Sequence, residues 1–180
     1  MKRYVALLRG VNIGAKKRIG MVDLRALIES LGYTEVKTYV NSGNVVFTAV
    51  RAYDNVALAG KIDEALSAEY GLDVPVVVRS GKELALIVAN NPFPEHAANH
   101  KTLHVSFLSE EPAADQVDAL SSMDRGEDEY RVFGENVYLH YPNGISGAVF
   151  MVNGLDKALK VDSTSRNWRT VVALAEMAAE

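Results

Sequence analysis

YVALLRGVNIGAKKRIGMVDLRALIESL, residues 4–31, reads as an apolar strand, a basic loop and an amphipathic helix in succession. Tyr4 to Leu8 is a short apolar run suited to a buried strand, and Gly10 and Gly14 interrupt it with residues that tolerate positive φ. Arg9, Lys16, Lys17 and Arg18 load the turn with positive charge. Met21, Leu24, Leu27, Ile28 and Leu31 then recur at helical spacing until Gly32 stops the helix. The loop therefore feeds a helix N-terminus, where unpaired N–H groups and the helix dipole favour an anion.

Working outward, Glu35 to Val40 and Val45 to Thr48 are β-rich runs joined by Asn41-Ser42-Gly43-Asn44, a hairpin signal. Asp54 to Tyr70 is helical in period and ends at Gly71, and Val74 to Val78 is a further strand. Strand, helix, strand, strand, helix, strand is the split βαβ order of a ferredoxin-like domain. Lys82 to Ala89 reads as a connecting helix, and Asn90-Asn91-Pro92-Phe93-Pro94 breaks the chain. Beyond it, Leu103 to Leu108 is a strand and Pro112 opens a helix to about Met123. Tyr130 to Phe133 and Val137 to Tyr141 form a hairpin, Ile145 to Leu159 is a helix, and Thr164 caps a last helix anchored by Trp168. The expected class is α+β, with two ferredoxin-like halves in one chain. The expected divisions are 1–80, a connecting helix and linker over 81–101, and 102–180.

The 180 residues contain no cysteine, which excludes disulfides, thiolate metal sites and a cysteine nucleophile, and fits a cytoplasmic protein. No apolar run approaches the ~20 residues that span a bilayer, so no membrane partner is expected. Net charge is −4, with 12 Lys/Arg against 9 Asp/Glu in residues 1–90 and 7 against 14 in residues 91–180. Such a split suits either two halves attracting each other or a field that steers a charged ligand.

In a split βαβ sheet the third strand lies between the first two, which gathers Arg9, Asn12, Lys16, Lys17, Arg18, Asn41, Ser42 and Asn44 at one end. Two readings stand at this point: an anion site, or a solvated basic loop whose asparagines cap turns. The loop is neither a P-loop nor a dinucleotide fingerprint, because its glycine spacing fits neither. Arg166 and Asn167 are expected in the first turn of the last helix, where positive charge calls for an anion or an acidic side chain. His96, His100 and His104 recur every four residues, but Pro92, Pro94 and the strand at His104 deny them a common helix. Surface histidines, and no metal site, are the expectation. A face bearing His104, Ser106, Tyr138 and His140 is expected on the second sheet, its roles being interdomain packing, simple exposure or proton transfer.

LLRGVNIGAKKRIGMVDLRALIESLGY, KTYVNSGNVVF, NPFP, LHVSFL, VYLHYPNGI and TSRNWRTV together closely resemble the bacterial family named domain of unknown function 1697. That resemblance implies two α+β, ferredoxin-like halves and carries no assigned activity. It places the family's motif positions on Arg9, Gly10, Asn12, Gly14, Lys16, Ser42, Gly43, Asn44, Arg166, Asn167 and Trp168. After Tyr-Pro-Asn-Gly-Ile the family usually continues with a basic Ser-Lys-Leu-like segment, whereas this chain has Ser146-Gly147-Ala148-Val149-Phe150. On the resemblance, a ligand held by that lysine is bound weakly or differently here.

The leading expectation is binding of a phosphate-bearing, nucleotide-like small ligand by Arg9, Asn12, Lys16, Lys17, Asn41, Ser42, Asn44, Arg166 and Asn167. No cofactor is expected, and a long nucleic acid is disfavoured because only one end of an acidic molecule is basic. An enzyme of unidentified reaction at the same site and a structural or protein-interaction module are the alternatives. Catalytic residues and oligomeric state are not legible.

Overall fold

A computed structural model of the chain describes residues 1–14, 17–150 and 152–179, with backbone alone for residues 152 and 153. The chain divides into two compact units, Met1–Ala89 with Ala173–Glu180, and Asn90–Val172. Both are mixed α+β, each carrying a four-stranded antiparallel sheet. No helix among the described residues is long and apolar enough to cross a membrane.

The first unit runs β1 (Lys2–Leu8), α1 (Met21–Ser30), β2 (Thr34–Tyr39), β3 (Asn44–Ala49), α2 (Asn55–Tyr70), β4 (Val76–Ser80) and α3 (Gly81–Ala89), with sheet order β2-β3-β1-β4. Alternation along β1 sends Tyr4, Ala6 and Leu8 to a core shared with Leu24, Leu27 and Ile28 of α1 and Leu58, Ile62 and Leu66 of α2. Each fully buried Leu or Ile side chain there contributes about 1.5–3 kcal/mol. Asp54 caps α2 by accepting the Ala57 N–H, and Gly71 closes it in the left-handed region at φ 61°.

The second unit runs β5 (Leu103–Leu108), α4 (Ala114–Ser121), β6 (Glu129–Phe133), β7 (Asn136–His140), α5 (Val152–Leu159), β8 (Ser163–Asn167) and α6 (Trp168–Met177), with order β6-β7-β5-β8. The last residues of α6 belong to the first unit. The repeat reaches individual hydrogen bonds. Leu8 N–H donates to the Gly43 carbonyl and Arg9 N–H to Pro75; a hundred positions on, Leu108 N–H donates to Glu135 and Ser109 N–H to Asp162. Val5 is paired with Arg79 and Val105 with Arg166, so the two buried arginines occupy equivalent places.

Two expected elements differ from those observed. Residues 145–159 are not one helix: a 3₁₀ turn at Ile145–Gly147 precedes an extended Ala148, and α5 begins at Val152. The Asp128 carboxylate accepts the Phe150 N–H at 2.7 Å and Tyr141 Oη donates to the Phe150 carbonyl at 3.1 Å, pinning the chain out of helical geometry. Thr164 does not cap the last helix either. It lies in β8, paired with Phe107, and the cap is Asn167, whose Oδ1 accepts the Thr170 N–H at 3.0 Å. Pairing with β5 makes a strand of a polar run that carries no strand pattern of its own.

Candidate functional site

At the end of β1 the chain enters a loop whose turns use positive φ at Gly10 (68°), Asn12 (59°) and Gly14 (71°). Asn12 holds the loop together. Its N–H donates to Lys17 O, its Oδ1 accepts the Ile19 N–H, and its Nδ2 donates to the carbonyls of Ile19 and Asn41, each at 3.0 Å. One carboxamide thereby ties both arms of the loop to the turn between β2 and β3. Val11 and Ile19 bury their side chains beneath it. The turn approaches so closely that a Cβ on Gly43 would lie 2.5 Å from Val11 Cγ2 and 2.8 Å from Leu8 Cβ, which only glycine avoids.

This end of the sheet therefore brings together Arg9, Asn12, Lys17, Asn41, Ser42 and Asn44. Lys16 lies outside the described residues. Asn44 is fully buried on β3, opposite Leu7, and its Nδ2 donates to the Tyr39 carbonyl, so it staples the hairpin. Lys17 Nζ donates to the Asp73 carbonyl at 2.9 Å, in the segment before β4, and Arg18 Nε donates to the Gly14 carbonyl within the loop at 3.1 Å. Gly20 precedes α1 with no side-chain cap on the helix N–H groups.

Arg166 and Asn167 belong to the second unit, on β8 instead of a helical first turn. Arg166 is 9% exposed, and its Nη1 donates to Thr164 Oγ1 at 2.7 Å and to the Ser165 carbonyl at 2.8 Å. Burial pulls its guanidinium down to about 10.

The histidines are not where the sequence pattern put them. Strand register sets His104 opposite Leu139 and Leu103 opposite His140, so His104 and His140 lie on opposite faces of the second sheet and share no site. His104 is buried, not a surface residue. Its ring lies 5.4 Å from that of Tyr141, and its Nδ1 has no hydrogen-bond partner among the described residues. Desolvation lowers its pKa to about 4, so it is neutral at pH 7 and a poor base. Tyr138, on the other face, is pushed up to about 12 by burial. His140 meets two residues that the sequence reading left out of its neighbourhood, Glu129 at 3.0 Å and the stacked ring of His96. The two-residue turn Gly134-Glu135 carries the missed signal, since it pairs Phe133 with Asn136 and by counting back Glu129 with His140.

Residues 1–138 match the family model described as protein of unknown function (DUF1697), and the chain belongs to that family. Among solved structures it is similar to a conserved bacterial protein, SP0830 from Streptococcus pneumoniae, at 23% identity. The match has a TM-score of 0.77 and covers 98% of each chain. That likeness speaks to the fold alone. Comparison with curated proteins finds no match.

Proposed function

We propose that this member of the family binds a phosphate-bearing small ligand, nucleotide-like in class, at the loop end of the first sheet. The observation that carries the reading is the Asn12 brace, which holds a loop with four basic residues at the uncapped N-terminus of α1. Arms tied together at Asn12 lose less entropy on binding, and an anion beside α1 meets cations and the positive end of the helix dipole. In this reading Arg9, Lys16 and Lys17 supply charge, Ser42 supplies a hydroxyl, and Asn12, Asn41 and Asn44 hold the frame. Arg166 and Asn167 stay within the second unit and serve its β8–α6 junction. The same reading takes each unit as a ferredoxin-like split βαβ fold, which the orders β2-β3-β1-β4 and β6-β7-β5-β8 support.

The test is a thermal-shift series with ATP, GTP, a sugar phosphate and pyrophosphate, followed by calorimetry at two salt concentrations. A phosphate ligand at 100 times its Kd raises stability by about 2.7 kcal/mol. The gain shrinks with salt and disappears in Lys16→Glu/Lys17→Glu. Stabilisation by none of the four probes contradicts the reading and favours a structural or protein-interaction module.

A further inference from the structure

A second set of donors converges in the second unit, far from the basic loop in chemistry. Register places Glu129 of β6 directly across from His140 of β7, with Glu129 Oε2 3.0 Å from His140 Nδ1. His96, from a 3₁₀ turn at Pro94–His96, lays its ring flat on that of His140, with centroids 3.6 Å apart and planes 6° from parallel. One ligand-type atom from each of His96, Glu129 and His140 lies within 4.8 Å of the other two. We propose that these three side chains form a binding site for a divalent first-row transition cation, with zinc as the reference ion.

Two imidazoles and a carboxylate are a donor set that zinc takes up with three protein ligands, leaving a fourth position for water. With metal–ligand distances of about 2.0–2.2 Å, tetrahedral donors stand roughly 3.3 Å apart, so the Glu129–His140 pair is already close enough. That pair is also the rigid half of the site. His140 is 7% exposed at its side chain, on a strand paired on both sides, with the Phe93 ring 6.0 Å away. His96 is the closing half. Parallel rings aim their in-plane lone pairs side by side, so His96 must swing out of the stack for its lone pair to meet the ion. A side chain 34% exposed on a three-residue turn has room to do so.

The surrounding charge favours a cation. Glu95 Oε1 lies 3.6 Å from His96 Nε2 and adds a second carboxylate. The nearby cation, Arg131, is held over the Phe93 ring at 5.4 Å and donates to the Tyr130 carbonyl. The first unit shows the contrast. Its equivalent corner sets Thr48 and Arg3 against Glu35, with Arg3 Nη2 3.8 Å from the carboxylate. Leu103 stands in the second unit where Arg3 stands in the first. A fixed guanidinium closes one corner to metal, and two imidazoles open the other.

The experiment is calorimetric titration of ZnCl2 into the full, tag-free, chelator-treated chain near neutral pH, with the visible absorption of bound Co²⁺ as a second readout of coordination. One zinc per chain is expected. His96→Ala and His140→Ala each lose it, Glu129→Gln weakens it by about tenfold or more, and His100→Ala, whose Nδ1 faces Arg169, leaves it unchanged. His140 is buried and its loss perturbs β7, so the half-exposed His96→Ala, with an unchanged circular dichroism spectrum, is the decisive variant. Absence of zinc and cobalt binding by the wild type, or binding that persists in His96→Ala, overturns the proposal.

Discussion

The two units place the same strands in the same order and put different chemistry at matching corners. In the first, Thr48 Oγ1 donates to Glu35 Oε2 at 2.7 Å, and that hydrogen bond, with the charge of Arg3, lowers the Glu35 pKa. In the second, His140 faces Glu129 and stacks on His96. The loop leaving the central strand differs as much. It carries Arg9, Lys16, Lys17 and Arg18 after β1, but Glu110 and Glu111 after β5. Backbone hydrogen bonds set the frame, which carries either composition because these positions lie at or beside strand ends, where side chains vary more freely than in the middle of the core.

The largest expected effect tests whether the frames are held by equivalent cores. Phe47 stacks with Tyr4 at 5.9 Å and meets Tyr33 at 4.8 Å, and Leu139 takes the matching place beside His104. Phe47→Ala should cost about 3–5 kcal/mol and Leu139→Ala about 2–5 kcal/mol in denaturant unfolding. A loss below 1 kcal/mol at either place breaks the equivalence.

A smaller effect separates Tyr4 from His104, which occupy equivalent positions on β1 and β5. His104 is neutral in the fold down to about pH 4, while the unfolded chain takes up the proton near 6.5. Its folded pKa is the lower one, so stability is retained above pH 6.5 and lost as pH falls from 6.5 to 4, by on the order of 3 kcal/mol. His104→Leu should flatten that part of the pH–stability curve, and an unchanged slope assigns the acid sensitivity elsewhere. The Tyr4 hydroxyl accepts the Tyr53 N–H and donates to the Tyr53 carbonyl, so Tyr4→Phe should cost about 1–2 kcal/mol.

The smallest effect concerns the loop. Lys17 is exposed, and Lys17→Glu should move the unfolding free energy by no more than ~0.5 kcal/mol while weakening any phosphate ligand. A large loss of stability would make the loop a structural element instead of a site.

The elements most legible in the sequence are those whose own residues decide them. The helix from Met21 is written in Leu24, Leu27 and Ile28, and the one after Asp54 in its cap and in Gly71. The β8 strand was not legible, because Ser163–Asn167 is polar throughout and becomes a strand only by pairing with β5. The basic loop was visible as composition, but the Asn12 brace was not, since it depends on an amide reaching carbonyls seven and 29 positions away. The histidines show the limit most clearly. Four-residue spacing links His96 to His100 and His104, an alignment that Pro92 and Pro94 already deny, whereas the ring of His96 stacks on that of His140 from the turn at Pro94–His96. A one-residue difference in hairpin register decides whether Glu129 or Tyr130 faces His140.

The central claim is that one backbone plan, used twice, carries an anion site on one unit and a cation site on the other. Amide chemical-shift mapping of the isotopically labelled chain, titrated in separate samples with pyrophosphate and with zinc, tests it most directly. The account predicts that pyrophosphate moves the amides of residues 9–20 and 41–44, that zinc moves those around 93–97, 129 and 140, and that neither set overlaps the other. Shifts by both ions at the same residues, or at neither set, would contradict it.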